Sequence, residues 1–598
     1  MAQLQDQLWY RGEHEIDSYH APDYIADTKS PNNYPNSSET RAYWEEQVFE
    51  NVLSFNKEIK KHSINAMLGT SLTSRKYNWS SVGVEGKTIV YKVENGQLQQ
   101  SEKAAGFLDS NFATIGAGAG GTFSGDGSCW KYNRASFFGR LNYNFNDRYL
   151  FQFTFREDGS SKFGADSRWG FFPSVAVGWR ISEEPFFPKN TVISNLKFRA
   201  SWGQLGNENA LGYYDFLALI STYNDLYQGY VQGSGSSAWP GSIARGLENR
   251  SLKWETTDTK NIGFDFGFFN NHLSGNVNYY INETRDLLIT RKLAPSAGLA
   301  NPTLNVGKMR NQGFELELNW NDKVSDFEYN VGFNLSTVSN KVVSLANEDQ
   351  TIYGMGLKYG SEHFPTQTKV GKPIGAFYLY QADGIFQNMD EVNAYKNKDG
   401  KLLQPNAQPG DVRFKDMNGD GVIDEDDKTY SGTGIAKVEA NLNLSASYKG
   451  FDFSAVIGSA FGNKIYNGIR YYYEGMNSAS NFLSSTLDAW TPTHTNTSVP
   501  RAIYGDPNDN TRESTRFLEN GDFVRLRQVQ LGYTLPTSLV KKIYCDRIRF
   551  YVSAENVFTI TGYSGANPEF SMGVLNSGID RFTYPFSRSY TVGAQISF

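Results

Sequence analysis

Residues 133–158 read NRASFFGRLNYNFNDRYLFQFTFRED, and their alternation decides the fold class. Phe137, Gly139, Leu141, Tyr143 and Phe145 interleave with Phe138, Arg140, Asn142 and Asn144. After the tight Asn146-Asp147 turn, Phe151, Phe153 and Phe155 interleave with Gln152, Thr154 and Arg156. A period of two with one apolar and one wet face is a β-hairpin. The same pattern returns in Ile262 to Phe268, Leu273 to Ile281, Phe314 to Trp320, Phe327 to Leu335, Ala440 to Tyr448 and Ile548 to Ala554.

Working outward, such runs predict about 15 strands, near 47–56, 62–74, 133–145, 148–158, 171–181, 196–206, 256–268, 272–283, 305–320, 326–338, 437–449, 451–462, 521–533, 547–557 and 588–598. Their connections alternate in length. Lys57 to Lys61, Asn270-Asn271, Asn321 to Ser325 and Gly450 are short, whereas the stretches before Asn133, over Thr284 to Leu304 and between the strands near 326–338 and 437–449 are long. Short turns on one rim and long loops on the other are the habit of an antiparallel transmembrane β-barrel with long extracellular loops and short periplasmic turns. A soluble sandwich or propeller also alternates, but does not sort its loops by parity.

Composition narrows the function classes. The net charge is -6 over 598 residues, without a basic stripe, so nucleic-acid binding is set aside. Cys129 and Cys545 are the only cysteines, which excludes a disulfide framework and a four-cysteine metal site. No apolar run is long enough for a membrane helix, a criterion that leaves strands untouched. The 88 aromatic residues suit interfacial girdles better than a deep core. The first residues show no basic, apolar and cleavage-site succession of an export signal.

Several stretches resemble one family. NRASFFGRLNYNFNDRYLFQFTFREDGSSKFGADSRWGFFPSVAVGWRISEEPFF (133–187), LKFRASWGQLGN (196–207), LKWETTDTKNIGFDFGFFNNHLSGNVNYYINETRDLL (252–288) and NVGKMRNQGFELELNW (305–320) are similar to the barrel of SusC/RagA-type TonB-dependent outer-membrane transporters. LGYTLP (531–536), FYVSAENVFTITGYSGANPE (550–569) and YPFSRSYTVGAQISF (584–598) resemble its closing strands. The resemblance implies an outer-membrane importer of oligosaccharides or peptides, embedded in lipid, energised by the TonB system and working with a SusD-like surface lipoprotein. It implies no enzymatic activity. The family's signal peptide, TonB-contacting segment, plug and first strands find no counterpart here. The expectation is therefore the C-terminal part of a barrel of roughly 22 strands, with an outer loop over 1–45, barrel over 46–598 and a calcium-loop-like insertion at 411–430. The alternative class is a secreted all-β protein that binds or cleaves carbohydrate.

Local motifs carry the site expectations. Asp416, Asn418, Asp420, Val422, Asp424 and Asp427 match the spacing of a calcium loop, with Gly421 at the sharp turn and the Val422 carbonyl as one ligand. Calcium is the expected ion, with a solvated Gly/Asn/Asp turn as the alternative. Asp427 stands where the longer Glu is usual. Tyr471, Tyr472 and Tyr473, with Tyr466 and Arg470, are candidates for stacking on sugar rings or for an interfacial girdle. Glu315 and Glu317 share a strand face and read as wet-lumen neighbours rather than a glycosidase pair. Gly116, Gly118 and Gly121 spell a phosphate cradle in a flexible loop context, and the six histidines lack zinc spacing. Tyr590, Val592, Ala594, Ile596 and Phe598 alternate in the last strand and resemble the family's assembly signal.

Overall fold

The computed structural model describes residues 2–19, 36–85, 87–94, 97–104, 115, 122–188, 192–218, 220–222, 229–231, 238–240, 242–244, 246–290, 296, 298–299, 301–346, 350–357, 363–476 and 481–598. One large antiparallel sheet dominates it. Its strands are β1 (Ala2–Tyr19), β2 (Asn36–Ile59), β3 (His62–Glu85), β4 (Thr122–Phe145), β5 (Tyr149–Ser160), β6 (Trp169–Arg180), β7 (Ile193–Asn207) and β8 (Glu255–Phe268). They continue with β9 (Leu273–Arg285), β10 (Lys308–Val324), β11 (Phe327–Thr337, prolonged by Ser339–Ser344), β12 (Val438–Tyr448), β13 (Phe451–Phe461), β14 (Phe523–Thr534), β15 (Arg547–Thr561) and β16 (Ser589–Ser597). Each pairs with its neighbours in the chain, giving an up-and-down meander. Among the described residues β1 and β16 are its two edges.

All the strands expected from alternation are present, and β1 is additional. The expectation of a loop over 1–45 is corrected at residues 2–19 and from 36 onward: Ala2↔Leu53 to Tyr19↔Asn36 run in continuous register. Alternation is weak there because Asp6 occupies a position matched to Phe49 of the apolar face. Strands β2, β3 and β4 also reach well past the predicted ends, to 24 residues each. At about 3.3 Å per residue they extend roughly 80 Å, far beyond an apolar band of about 25 Å.

Register makes the two faces explicit. One row runs Ile64, Tyr143, Phe151, Val177, Ala200, Ile262, Tyr279 and Phe314 across eight strands. Another runs Tyr329, Ala446, Phe453, Leu531, Val552 and Val592. These side chains cover no protein core: Ile262, Phe453 and Val552 remain 48%, 39% and 49% exposed. A surface of this extent is incompatible with water and is the face that lipid covers. At the short-turn rim Phe327, Tyr448, Phe451, Tyr533 and Phe550 form one unbroken aromatic row, an interfacial girdle. The β12–β13 turn there, Lys449-Gly450, has both residues at positive φ, which matches the twist of a two-residue hairpin.

The opposite face reads Lys197, Asp265, Asn276, Glu317, Asn334, Asn441, Gly458, Arg525 and Thr559 along one row. One face of the sheet is polar and the other apolar, as the alternation predicts.

Candidate functional site

The polar face is held as a hydrogen-bonded lattice. Arg199 donates through Nε to Asp265 Oδ1 at 2.8 Å and through Nη2 to Asn278 Oδ1 at 3.0 Å. Asn278 donates to Asn276 at 2.9 Å, and Asn276 and Asn319 donate to Glu317 at 2.8 and 3.1 Å. Glu315 and Glu317 thus sit on one wall, as expected, and Glu317 is an acceptor in an amide ladder. Amides and balanced ion pairs offer donors and acceptors to a polar solute without trapping one sign of charge. Toward the loop rim this face opens a cavity of about 830 Å³ lined by Arg134, Phe138, Arg140, Arg156, Asp158 and Trp254, among others. Arg156 Nε donates to both carboxylate oxygens of Asp158, at 2.7 and 2.9 Å, while Arg140 is exposed.

Above the wall, the described residues of the long connections 345–437, 462–522 and 562–588 fold into a single lobe. Its centre is Leu357, Phe377 and Leu379 from the first, Tyr466, Tyr471 and Phe517 from the second, and Ile579 from the third. Hydrogen bonds join them: Tyr466 N–H donates to Gly578 O at 2.8 Å, Tyr380 N–H to Glu513 O at 3.1 Å, and the Thr366 hydroxyl to Leu575 O at 2.8 Å. Each large ring buried this way contributes about 1.5–3 kcal/mol relative to an exposed one, so the lobe has a core of its own.

This core corrects the tyrosine expectation. Tyr466 and Tyr471 are 0% and 5% exposed, and pack against Phe517 tilted and edge-on, with ring centroids 5.8 and 5.6 Å away. Tyr472 and Tyr473 pack on Phe582 at 5.7 and 5.4 Å. Tyr466 and Tyr471 are neither a sugar platform nor girdle residues, because loops distant in sequence converge to cover them. Tyr471 Oη lies 2.9 Å from His363 Nδ1, which puts that histidine inside the lobe too.

Buried charges tie the loops. Lys428 Nζ meets Glu513 at 2.5 Å and Glu425 at 2.6 Å. Glu474, 2% exposed at its side chain, is shared by Arg470 at 2.9 Å and Arg516 at 3.2 Å. Burial pushes the Arg516 guanidinium down to about 10 against the pull of Glu474. Burial also raises the Glu519 carboxyl, but hydrogen bonds from Ser564, Arg470 and Asn467 outweigh it and hold that carboxyl below its ordinary value.

The acidic loop within 411–430 is built from side-chain turns. Asp416 accepts from Gly419 N–H at 2.6 Å and Gly421 N–H at 2.9 Å, Asn418 from Asp420 N–H at 2.9 Å, and Asp420 from Val422 N–H at 2.9 Å. Asp424 caps Asp426 N–H at 2.9 Å. Fully buried Asp427 closes the loop on Met417 N–H at 2.6 Å and Asp424 N–H at 2.8 Å. Gly421 has φ +89°, and a Cβ there would meet Asn397 at 2.9 Å. Among the described residues no three Asp, Glu, His or Cys side chains converge as a metal site. A cation here therefore depends on Asn418 and on the Val422 carbonyl as well as on the carboxylates.

Tyr590, Val592, Ala594 and Ile596 lie on the apolar face opposite Ala554, Val552, Phe550 and Ile548, and Phe598 follows the strand, 88% exposed. The glycine motif at 116–121 lies outside the described residues.

A family model described as "TonB dependent receptor-like, beta-barrel" matches residues 3–557. The TonB-dependent receptor SusC of Bacteroides thetaiotaomicron is 32% identical over 470 residues, which cover 77% of this chain and 43% of the relative. The TonB-dependent receptor P3 of Formosa agariphila is 31% identical over 473 residues, 77% of this chain and 45% of the relative. Among solved structures, that of the RagAB peptide transporter superposes with a TM-score of 0.78 at 23% identity, covering 100% of this chain and 60% of that one. The chain spans about half the length of the curated relatives it matches.

Proposed function

Because the chain belongs to the TonB dependent receptor-like β-barrel family, whose members are outer-membrane transporters and receptors rather than enzymes, we propose that it forms barrel wall and outer loops of an importer for oligosaccharides or peptides. The likeness to SusC, a TonB-dependent receptor, supports the reading, and the fold shared with the RagAB peptide transporter is consistent with it. In it, the TonB system supplies energy and a SusD-like lipoprotein meets the loop side. The carrying observation is the amide-lined polar face opposite an exposed apolar one. A secreted glycan-binding or glycan-cleaving protein would not leave rows of Phe, Leu and Val uncovered.

The test is uptake by cells. Deleting the gene is expected to abolish accumulation of one labelled class, oligosaccharide or peptide, to the same extent as deleting TonB, and a tagged chain is expected to retain a surface lipoprotein. Unchanged uptake of both classes in both deletions would overturn the proposal.

We also propose that Asp416, Asn418, Asp420, Val422, Asp424 and Asp427 hold calcium. The alternate side chains already turn toward one another through N–H groups of the loop, and Asp427 fills its base. Millimolar calcium is expected to slow proteolysis of the 411–430 stretch by about tenfold or more relative to chelator, as ion-ordered loops resist local opening. Equal cleavage rates with and without calcium remove the ion from this loop.

A further inference from the structure

The connection from β14 to β15, residues 535–546, does not behave like the neighbouring short turns. It forms one helical turn, α1 (Thr537–Val540), and a tighter turn over Lys541–Ile543, ending in Tyr544 at φ +59°. Its inner side is small and closed: Val540, Cys545 and Ile548 are buried together, with Leu535 against them and Leu535 N–H donating to Ile548 O at 2.9 Å. Ile548 belongs to the lipid-facing side of β15, two residues before Phe550 and opposite Ile596. It is 6% exposed, whereas Phe550 on the same face is 52% exposed. The connection therefore folds over the outer side of the wall, not over the interior.

What it shows to the surroundings is a mixed surface. Leu539, Ile543 and Tyr544 are 52%, 59% and 93% exposed. Lys541 and Lys542 lie between them, both exposed and without an ion-pair partner among the described residues. The connection joins the strands of Tyr533 and Phe550, two paired members of the aromatic row Phe327, Tyr448, Phe451, Tyr533 and Phe550 at the short-turn rim. Apolar side chains flanked by unpaired lysines, at the level where rings mark the bilayer boundary, are the chemistry of an interfacial anchor.

We propose that residues 535–546 are a foot resting on the short-turn leaflet: Leu539, Ile543 and Tyr544 enter the headgroup boundary, and Lys541 and Lys542 bind the phosphates of anionic phospholipid. A cationic side chain near an anionic surface strengthens binding roughly fivefold, so the two lysines together make the foot selective for lipid charge.

The test uses the full chain in lipid nanodiscs, read by amide hydrogen exchange. In discs containing phosphatidylglycerol, amides 537–545 are expected to exchange several-fold more slowly than in phosphatidylcholine discs. Lys541→Gln with Lys542→Gln is expected to bring them to the phosphatidylcholine rate. Equal rates in the two lipids overturn the proposal, as does slowing by inorganic phosphate in detergent, which would indicate a free-anion site, or persistence of slow exchange in the double variant, which would indicate a protein contact. Amides of β12 to β14 are the internal reference: their failure to be protected in discs refutes the barrel itself, while their protection with an unchanged foot refutes only the foot.

Discussion

Leu442→Arg is expected to lower the unfolding free energy by about 2–4 kcal/mol, the cost of a cation near mid-depth on a lipid-facing barrel surface. Leu442 sits between Phe333 and Ile457 on the apolar face of β12. Its neighbour Asn443 sits between Gly332 and Val456 on the polar face. Asn443→Arg should change stability by about 0.5 kcal/mol or less, like other substitutions at wet positions. Urea unfolding of both variants in lipid vesicles measures the pair. Equal losses would mean that the two faces are not differently solvated, and the membrane reading would fall with them.

Glu474→Gln is expected to destabilise the loop lobe by about 3–5 kcal/mol, the usual consequence of removing one partner from a buried ion pair. Arg516 then loses its only ion-pair partner among the described residues, with its Nε and both Nη atoms otherwise lacking hydrogen-bond acceptors. Arg470 keeps Glu519 at 3.1 Å, so the loss falls mainly on Arg516. Adding Arg516→Met should recover much of the stability, because an apolar side chain of similar length removes the stranded charge. Pulse proteolysis should show cleavage within 462–522 while the wall strands stay intact. If the single variant resists protease as well as the parent does, the lobe does not depend on this cluster.

The wall was legible in the sequence wherever a strand crosses lipid. Phe137 to Phe145 or Leu442 to Tyr448 must alternate because solvent differs on their two sides, and one-residue slippage would put every polar group in hydrocarbon. Legibility ends where that asymmetry ends. Residues 36–46, 75–85 and 122–132 extend their strands beyond the apolar band, and their pattern no longer distinguishes strand from loop. Strand β1 is obscured for a related reason, with Asp6 matched to Phe49.

The acidic loop was readable because its turns are local: each carboxylate or amide serves an N–H within a few residues. The tyrosines were not, because the partners of Tyr466 are Phe377 and Ile579, about a hundred residues away on either side. The foot is not legible from alternation, since one helical turn has no periodicity. A usable signal was present in the pairing of Lys541-Lys542 with flanking Leu539, Ile543 and Tyr544 just after a lipid-crossing strand.

The shared interior of the three outer connections bears on how such a protein diverges. None of them can drift in isolation, since a new length or contour in one strips the cover from hydrophobic flanks of the other two. A reshaped outer lobe must come through concerted replacement of the whole trio. A chimaera that borrows a single excursion from a cousin therefore leaves hydrophobic flanks bare, whereas grafting all three onto an unchanged wall keeps their shared interior together.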